Sequence, residues 1–147
     1  MYPGILIAAA RRRIKQAVIA RVGARGLTPQ QFWILIAIHE TPGVSQIAIA
    51  ERIFADAPTV SRTIAPLVER GLARAAADPS DRRRLQLTLT PAGAKLARSL
   101  FPVAREIREA VVAGMSAEEV QALNAALDRV LANLDRLERR RTAVEGT

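Results

Sequence analysis

A cluster of small hydroxyl residues and one arginine has the chemistry needed to contact DNA. Its members are Pro58, Thr59, Ser61, Arg62 and Thr63. Small hydroxyl side chains let the backbone approach a phosphate closely, and an arginine is long enough to reach a base edge or a phosphate. If these residues begin a helix, the free N–H groups of its first turn also favour phosphate oxygens. The alternative is that they only cap and decorate a helix.

A second cluster is basic and follows the turn-forming pairs Asp78-Pro79 and Ser80-Asp81. It consists of Arg82, Arg83 and Arg84. An arginine at the tip of a rigid hairpin can enter the minor groove, where the negative potential deepens as the groove narrows. We expect Asp81 to hold a neighbouring guanidinium through paired hydrogen bonds. The alternative is an ordinary solvated loop.

Catalytic and metal-binding chemistry finds few suitable residues in this sequence. There is no cysteine and the only histidine is His39, which excludes disulfides, thiolate sites and multi-histidine metal sites. His39-Glu40 matches the start of a zinc-protease motif, but the second histidine of that motif would fall on Gly43. The sequence also lacks a glycine-rich phosphate loop. We therefore predict no enzyme activity, no metal site and no cofactor.

The charge balance favours an anionic partner. The 147 residues include 22 Lys+Arg and 14 Asp+Glu, for a net charge of +8, and half of the residues are hydrophobic, enough to form a core. A solvated basic surface is the alternative. No apolar run reaches the roughly 18 residues of a membrane span, and the apolar N-terminal stretch precedes the basic one, opposite to a secretory signal. We expect a soluble, cytoplasmic protein that binds no membrane.

Apolar spacing and capping signals predict the elements that would position both clusters. Helices are predicted over residues 5–24, 29–41, 46–53, 57–70, 91–113 and from 117 onward. Alternating leucines predict a strand over 85–89 that pairs with 72–76. This order is that of a winged helix-turn-helix, mainly α with a small β-hairpin wing, whose helix 57–70 would enter a major groove about 12 Å wide. Pro66 should bend that helix slightly without ending it.

The last predicted helix carries apolar residues in a heptad-like pattern. They are Val120, Leu123, Leu127, Val130, Leu134 and Leu137, spaced three and four apart. We expect this seam to pack against a second copy, since the winged helix should have its own small core. Packing within one chain is the alternative. The basic run from Arg11 to Lys15 is interpreted as a solvated helix face.

Six short motifs stand in a characteristic order along the sequence. They are Leu27-Thr28-Pro29-Gln30-Gln31-Phe32, Ser45-Gln46-Ile47-Ala48, Pro58-Thr59-Val60-Ser61-Arg62, Glu69-Arg70-Gly71-Leu72, Asp78-Pro79-Ser80-Asp81-Arg82-Arg83 and Leu89-Thr90-Pro91-Ala92-Gly93. Together they resemble the MarR family of bacterial transcriptional regulators, over roughly residues 5–137. The last two motifs are the most specific part of the resemblance.

The resemblance implies a homodimer that binds a pseudo-palindromic double-stranded DNA operator, most often as a repressor. It implies an N-terminal dimerisation helix (1–27), a winged helix-turn-helix (28–90) and C-terminal dimerisation helices (91–147). The DNA-binding residues would be those of the first cluster together with Asp81, Arg82 and Arg83. Arg83 would enter the minor groove, and Asp81 would position it.

The resemblance also implies a small aromatic or phenolic ligand that releases such proteins from DNA. Trp33, Ile36 and His39 lie on the helix that resembles the pocket-lining helix of the family and are predicted to bind this ligand, whereas Phe32 and Leu35 are assigned to the core. The alternative function is a winged-helix DNA-binding protein without ligand response or strong sequence preference.

Overall fold

The computed structural model describes residues 2–145 and shows a mainly helical winged helix-turn-helix, as predicted. Its elements are α1 (Pro3–Val22), a 3-10 turn (Gly23–Arg25), α2 (Pro29–Glu40), β1 (Val44–Ser45), α3 (Gln46–Arg52), α4 (Ala57–Glu69), β2 (Ala73–Ala77), β3 (Leu85–Leu89), α5 (Pro91–Val111) and α6 (Ala117–Glu145). The predicted helices differ from these bounds by a few residues at their ends.

Side-chain caps explain where the helices of the helix-turn-helix begin. The hydroxyl of Thr28 accepts a hydrogen bond from the N–H of Gln31 at 3.2 Å, and the side chain of Gln31 accepts one from the N–H of Thr28 at 3.0 Å. This reciprocal pair satisfies two N–H groups that a helix start leaves free. Ser45 caps α3 in the same way by accepting from the N–H of Ala48 at 3.0 Å. Both caps confirm the predictions.

The wing is a three-stranded antiparallel sheet in the order β1-β3-β2. The pairing of β2 with β3 confirms the predicted hairpin, with Ala75 opposite Leu87. Strand β1 was not predicted, because two residues cannot display an alternating pattern. Leu87 in the central strand is fully buried and packs in the hydrophobic core, which connects the wing to the helices.

The core joins the winged helix to the two helices that flank it. Val18 and Val22 of α1, Phe32 of α2, Leu67 of α4 and Leu100 of α5 are all buried in one cluster. The chain divides into compact units between Val111 and Val112. The winged helix therefore has no core separate from α1 and α5, contrary to the expectation, because both helices bury apolar faces in it.

Helix α4 continues through Pro66 to Glu69, so the proline does not end it. The N–H of Arg70 donates to the carbonyl of Pro66 at 3.0 Å, which closes the last turn. The buried side of α4 consists of Val60, Ile64 and Leu67. Ser61, Arg62 and Ala65, on the other side of α4, are exposed to solvent.

Helix α6 is 29 residues long and contains no buried residue among its described side chains. Leu134 and Leu137 of the predicted seam are 55% and 65% exposed. Such a long apolar seam is unusual on a surface that stays in water. Within residues 2–145, no helix is both long and apolar enough to cross a membrane.

Candidate nucleic-acid interface and adjoining cleft

The N-terminal end of α4 is fixed by Asp56. Its carboxylate accepts a hydrogen bond from the N–H of Thr59 at 2.7 Å, and this bond holds the pKa of Asp56 below its ordinary value. Pro58 lies in the first turn, where a missing N–H costs no helical bond. The role of Asp56 as the cap of α4 was not predicted from the sequence. The signal was an Asp directly before a helix start that contains proline.

The structure brings the predicted DNA-contacting residues of α4 together at this end. Ser61 and Arg62 are exposed, and Thr59 is partly exposed. The Arg62 guanidinium donates to the hydroxyl of Thr59 at 3.3 Å, so the arginine lies along the first turn of the helix. Thr63 instead turns towards α2, where its hydroxyl contacts the side-chain oxygen of Gln30 at 3.2 Å. The end of α4 therefore presents hydroxyl groups and one guanidinium, while the N–H groups of Thr59 and Val60 are already bonded to Asp56.

The wing tip is shaped by two aspartates through the backbone. Asp78 accepts hydrogen bonds from the N–H and the hydroxyl of Ser80 at 2.8 and 2.7 Å, which lower the pKa of its carboxyl. Asp81 accepts a hydrogen bond from the backbone N–H of Arg83 at 3.1 Å. The expectation that Asp81 pairs with a guanidinium is corrected, because a backbone N–H two residues ahead is the nearer donor in such a turn.

The arginines at this tip are exposed and have no acidic partner. Arg82, Arg83 and Arg84 all lie on the surface, and none forms an ion pair with a carboxylate in the described part of the chain. An unpaired guanidinium on a rigid hairpin keeps its full capacity for phosphate or minor-groove contacts. The wing tip and the end of α4 are thus two basic surfaces on one compact unit.

A cleft of about 820 Å³ opens beside the DNA-contacting end of α4. Its lining residues come from α1, α2, α3, α4 and α5 and are Arg11, Ile14, Lys15, Thr28, Pro29, Gln30, Gln31, Trp33, Arg52, Ile53, Thr59, Arg62, Thr63 and Arg108. Five of these side chains are basic and none is acidic. The cleft therefore combines an aromatic ring with a strongly positive wall, which suits a flat, negatively charged molecule.

The predicted ligand-binding residues have different positions. Trp33 lines the cleft. Ile36 is fully buried in the core, so its prediction as a cleft residue is corrected; α2 is packed on several sides and leaves little of its surface free. His39 lies beside Phe101, with ring centres 5.7 Å apart, and does not line this cleft. Phe32 and Leu35 are core residues, as predicted.

Most of the basic side chains of the cleft were not predicted from the sequence to belong to a binding site. Arg52 and Arg108 were not singled out, and Arg11 and Lys15 were interpreted as a solvated face. These residues lie on three helices that are distant in the sequence. Only the packing of α1 and α5 against α2 brings them together, so no local motif could have indicated the site.

The carboxylate of Glu40, which does not line the cleft, pairs with two of the arginines that do. Glu40, the last residue of α2, accepts hydrogen bonds from Arg108 at 2.6 and 3.3 Å and also pairs with Arg52. The pairing, chiefly with Arg108, lowers the pKa of Glu40. The Arg108 guanidinium lies 5.7 Å from the centre of the Trp33 ring, close enough for a cation–π contact.

Comparison with known proteins places these features in a family. The MarR family model matches residues 25–84. The transcriptional regulator HosA of Escherichia coli is 33% identical over 93 residues, which are 63% of this chain and 69% of that protein. The S. aureus MepR–DNA complex has a TM-score of 0.77 at 25% identity, covering 91% of this chain and 99% of that one. Bordetella bronchiseptica BpsR, whose DNA binding is regulated by 6-hydroxynicotinic acid, has a TM-score of 0.70 at 28% identity over 86% and 96% of the two chains.

Proposed function

Because the chain belongs to the MarR family of DNA-binding transcriptional regulators, we propose that it is a homodimeric repressor of a pseudo-palindromic operator. A small aromatic molecule with an anionic group, held in the basic cleft, releases it from DNA. The observation that carries the proposal is the exposed set of arginines on α4 and the wing, of which Arg62 also lines that cleft.

The operator contact rests on α4 and on the wing tip. Residues Pro58, Thr59, Ser61, Arg62 and Thr63 form the end of α4 that enters the major groove. Arg62 reads a base edge or a phosphate, since it is the only long cation of that set. Arg82 and Arg83 reach the minor groove, and Asp81 holds the backbone of the tip in place.

The dimer rests on α6 and α1. Helix α6 has an apolar seam without any buried residue, and the N-terminal part of α1 exposes Ile5 and Leu6. A second copy would cover both surfaces, and residues 1–27 and 91–147 are proposed to supply them. A dimer would carry a net charge of +16, twice +8, which favours its encounter with DNA.

The ligand is proposed to stack on Trp33 and to place its anionic group among the cleft arginines. Arg62 and Thr59 line the cleft as well as the DNA-contacting end of α4. A ligand that holds these side chains changes what they offer to DNA. It can release the operator only through a different affinity for the free and the DNA-bound protein.

The test is a selection of genomic DNA fragments from the source organism with the purified protein at near-physiological salt. We expect enrichment of an inverted repeat whose half-sites lie about 34 Å apart, one helical turn. Binding without enrichment of any sequence would contradict the proposal and favour a non-specific winged-helix protein without ligand response. No binding at moderate salt would show that the basic surface has another partner.

A further inference from the structure

Among the described residues, Glu40 is the one carboxylate that forms ion pairs with basic side chains lining the cleft. It does not line the cleft itself, but its two partners Arg52 and Arg108 do. Its side chain is only 23% exposed, whereas the side chains of Arg52 and Arg108 are 40% and 44% exposed. The carboxylate therefore lies behind the two guanidinium groups, which face the cleft.

Glu40 already makes the contact that an anionic ligand would seek. Two nitrogens of Arg108 contact its two oxygens, and a two-point contact of this kind is how arginine binds a carboxylate. Arg11 and Lys15, which line the cleft from α1, form no ion pair within the described residues. An anion in the cleft can therefore pair with Arg11 and Lys15 without displacing another group. At Arg52 and Arg108 it has to compete with the carboxylate of Glu40.

The same three residues connect three helices. Glu40 ends α2, Arg52 ends α3, and Arg108 lies near the end of α5. The turn that follows Arg52 leads directly into Asp56 and the DNA-contacting end of α4. Arg52 is therefore four residues from Asp56, the cap of α4.

We propose that Glu40 is an internal counter-ion that competes with an anionic ligand for Arg52 and Arg108, and so both limits ligand affinity and couples the ligand to α3. This inference rests on the proposed ligand-responsive function. An incoming carboxylate pairs with one or both guanidinium groups. When it pairs with Arg52, the ion pair between Glu40 and the end of α3 is broken. The affinity of the cleft is thus set by a residue that does not contact the ligand.

The test compares the parent protein with Glu40→Gln, which keeps the side-chain shape and removes the charge. The probes are benzoate and its uncharged analogue benzyl alcohol, at neutral pH. Trp33, the only tryptophan of the chain, lines the cleft and reports binding by its fluorescence. Glu106→Gln is the matched control, because it removes the same charge from a pair with Arg21 that does not line this cleft.

We expect Glu40→Gln to bind benzoate about tenfold more tightly, since about 1.4 kcal/mol corresponds to a factor of ten. Benzyl alcohol affinity should not change, and Glu106→Gln should behave as the parent. Equal or weaker benzoate binding by Glu40→Gln would overturn the inference. So would an equal gain for benzyl alcohol, which would indicate a change of shape, or an equal gain in Glu106→Gln, which would indicate a general charge effect.

Amide hydrogen exchange tests the coupling to α3. Benzoate should raise the exchange of residues 46–52 in the parent, and Glu40→Gln should show raised exchange without benzoate. Unchanged exchange in both would refute the coupling. If Glu40→Gln does not fold, Glu40→Asp, with its shorter reach, should give an intermediate gain in benzoate affinity. Absence of benzoate binding by any variant at tens of millimolar would overturn the inference, whereas the DNA selection decides the proposed regulator independently.

Discussion

Gly93 lies directly against the backbone of Leu72, so that a β-carbon at position 93 would be 1.8 Å from the Leu72 carbonyl oxygen. The same carbonyl accepts the N–H of Thr90 at 3.1 Å, and the Thr90 hydroxyl donates to the carbonyl of Gly71 at 2.5 Å. The start of α5 is thereby fastened to the residues between α4 and β2. Close backbone contact of this kind is possible only for glycine.

Gly93→Ala should destabilise the protein by at least about 2 kcal/mol, because the new methyl group forces the start of α5 away from Leu72. Urea unfolding followed by circular dichroism measures the loss. Gly23→Ala is the control: Gly23 has a φ of −59°, and a β-carbon there would meet only Ile19 at 3.7 Å. That variant should be as stable as the parent or slightly more stable. Equal stability of both variants would show that α5 can shift freely.

Arg62→Ala should weaken operator binding by about 1–3 kcal/mol and, if Arg62 reads a base, relax specificity at one position of each half-site. Fluorescence anisotropy with the selected operator and its single-base variants measures both effects. Arg98→Ala is a matched control, since Arg98 is an exposed arginine on α5, outside α4 and the wing. An unchanged affinity and specificity profile for Arg62→Ala would remove this residue from the interface.

Arg83→Ala should weaken operator binding and reduce the salt dependence by about one counterion per half-site, because one unpaired guanidinium is lost from the wing tip. The measurement is a series of binding titrations at several salt concentrations. Far-UV circular dichroism and sedimentation should show an unchanged fold and oligomeric state. A salt slope identical to that of the parent would mean that Arg83 does not contact DNA.

Leu127→Asp should dissociate the proposed dimer. Leu127 lies in the middle of the α6 seam, where a carboxylate facing its own copy would be both desolvated and repelled. Sedimentation velocity distinguishes monomer from dimer, and Asn124→Asp supplies a control, because Asn124 is an exposed position of the same helix. A dimer that survives Leu127→Asp would place the seam contact within one subunit.

Glu40→Gln should make the stability of the protein less sensitive to acid. The pKa of Glu40 in the folded protein lies below its ordinary value of 4.5, because Arg108 and Arg52 favour the charged carboxylate. This contribution to stability is present above pH 4.5 and is lost as the pH falls through the lower, folded-state value. Thermal melts from pH 7 downward should therefore show a steeper decline below about pH 4.5 for the parent. Parallel declines for both proteins would mean that the pairing contributes nothing to folding.

Local signals in the sequence were sufficient to predict most elements. Thr28 and Ser45 mark helix starts because their side-chain oxygens accept hydrogen bonds from nearby N–H groups. The alternating leucines of β3 lie on one face of the strand, where Leu87 is fully buried. These interactions join residues only a few positions apart, so the sequence displays them directly. The two-residue strand β1 was not predicted, because it is defined by the pairing of Val44 with Leu87, a residue distant in the sequence.

The sequence by itself determined the fold class, the polar end of α4 and the basic hairpin, since each depends on near neighbours in the chain. Only the tertiary structure decided the cleft and its counter-ion. The packing of α2, α3 and α5 brings together Trp33, Glu40, Arg52 and Arg108. The same packing buries Ile36 in the core. Coulomb interactions and burial depend on distance in space, and a linear sequence does not contain those distances.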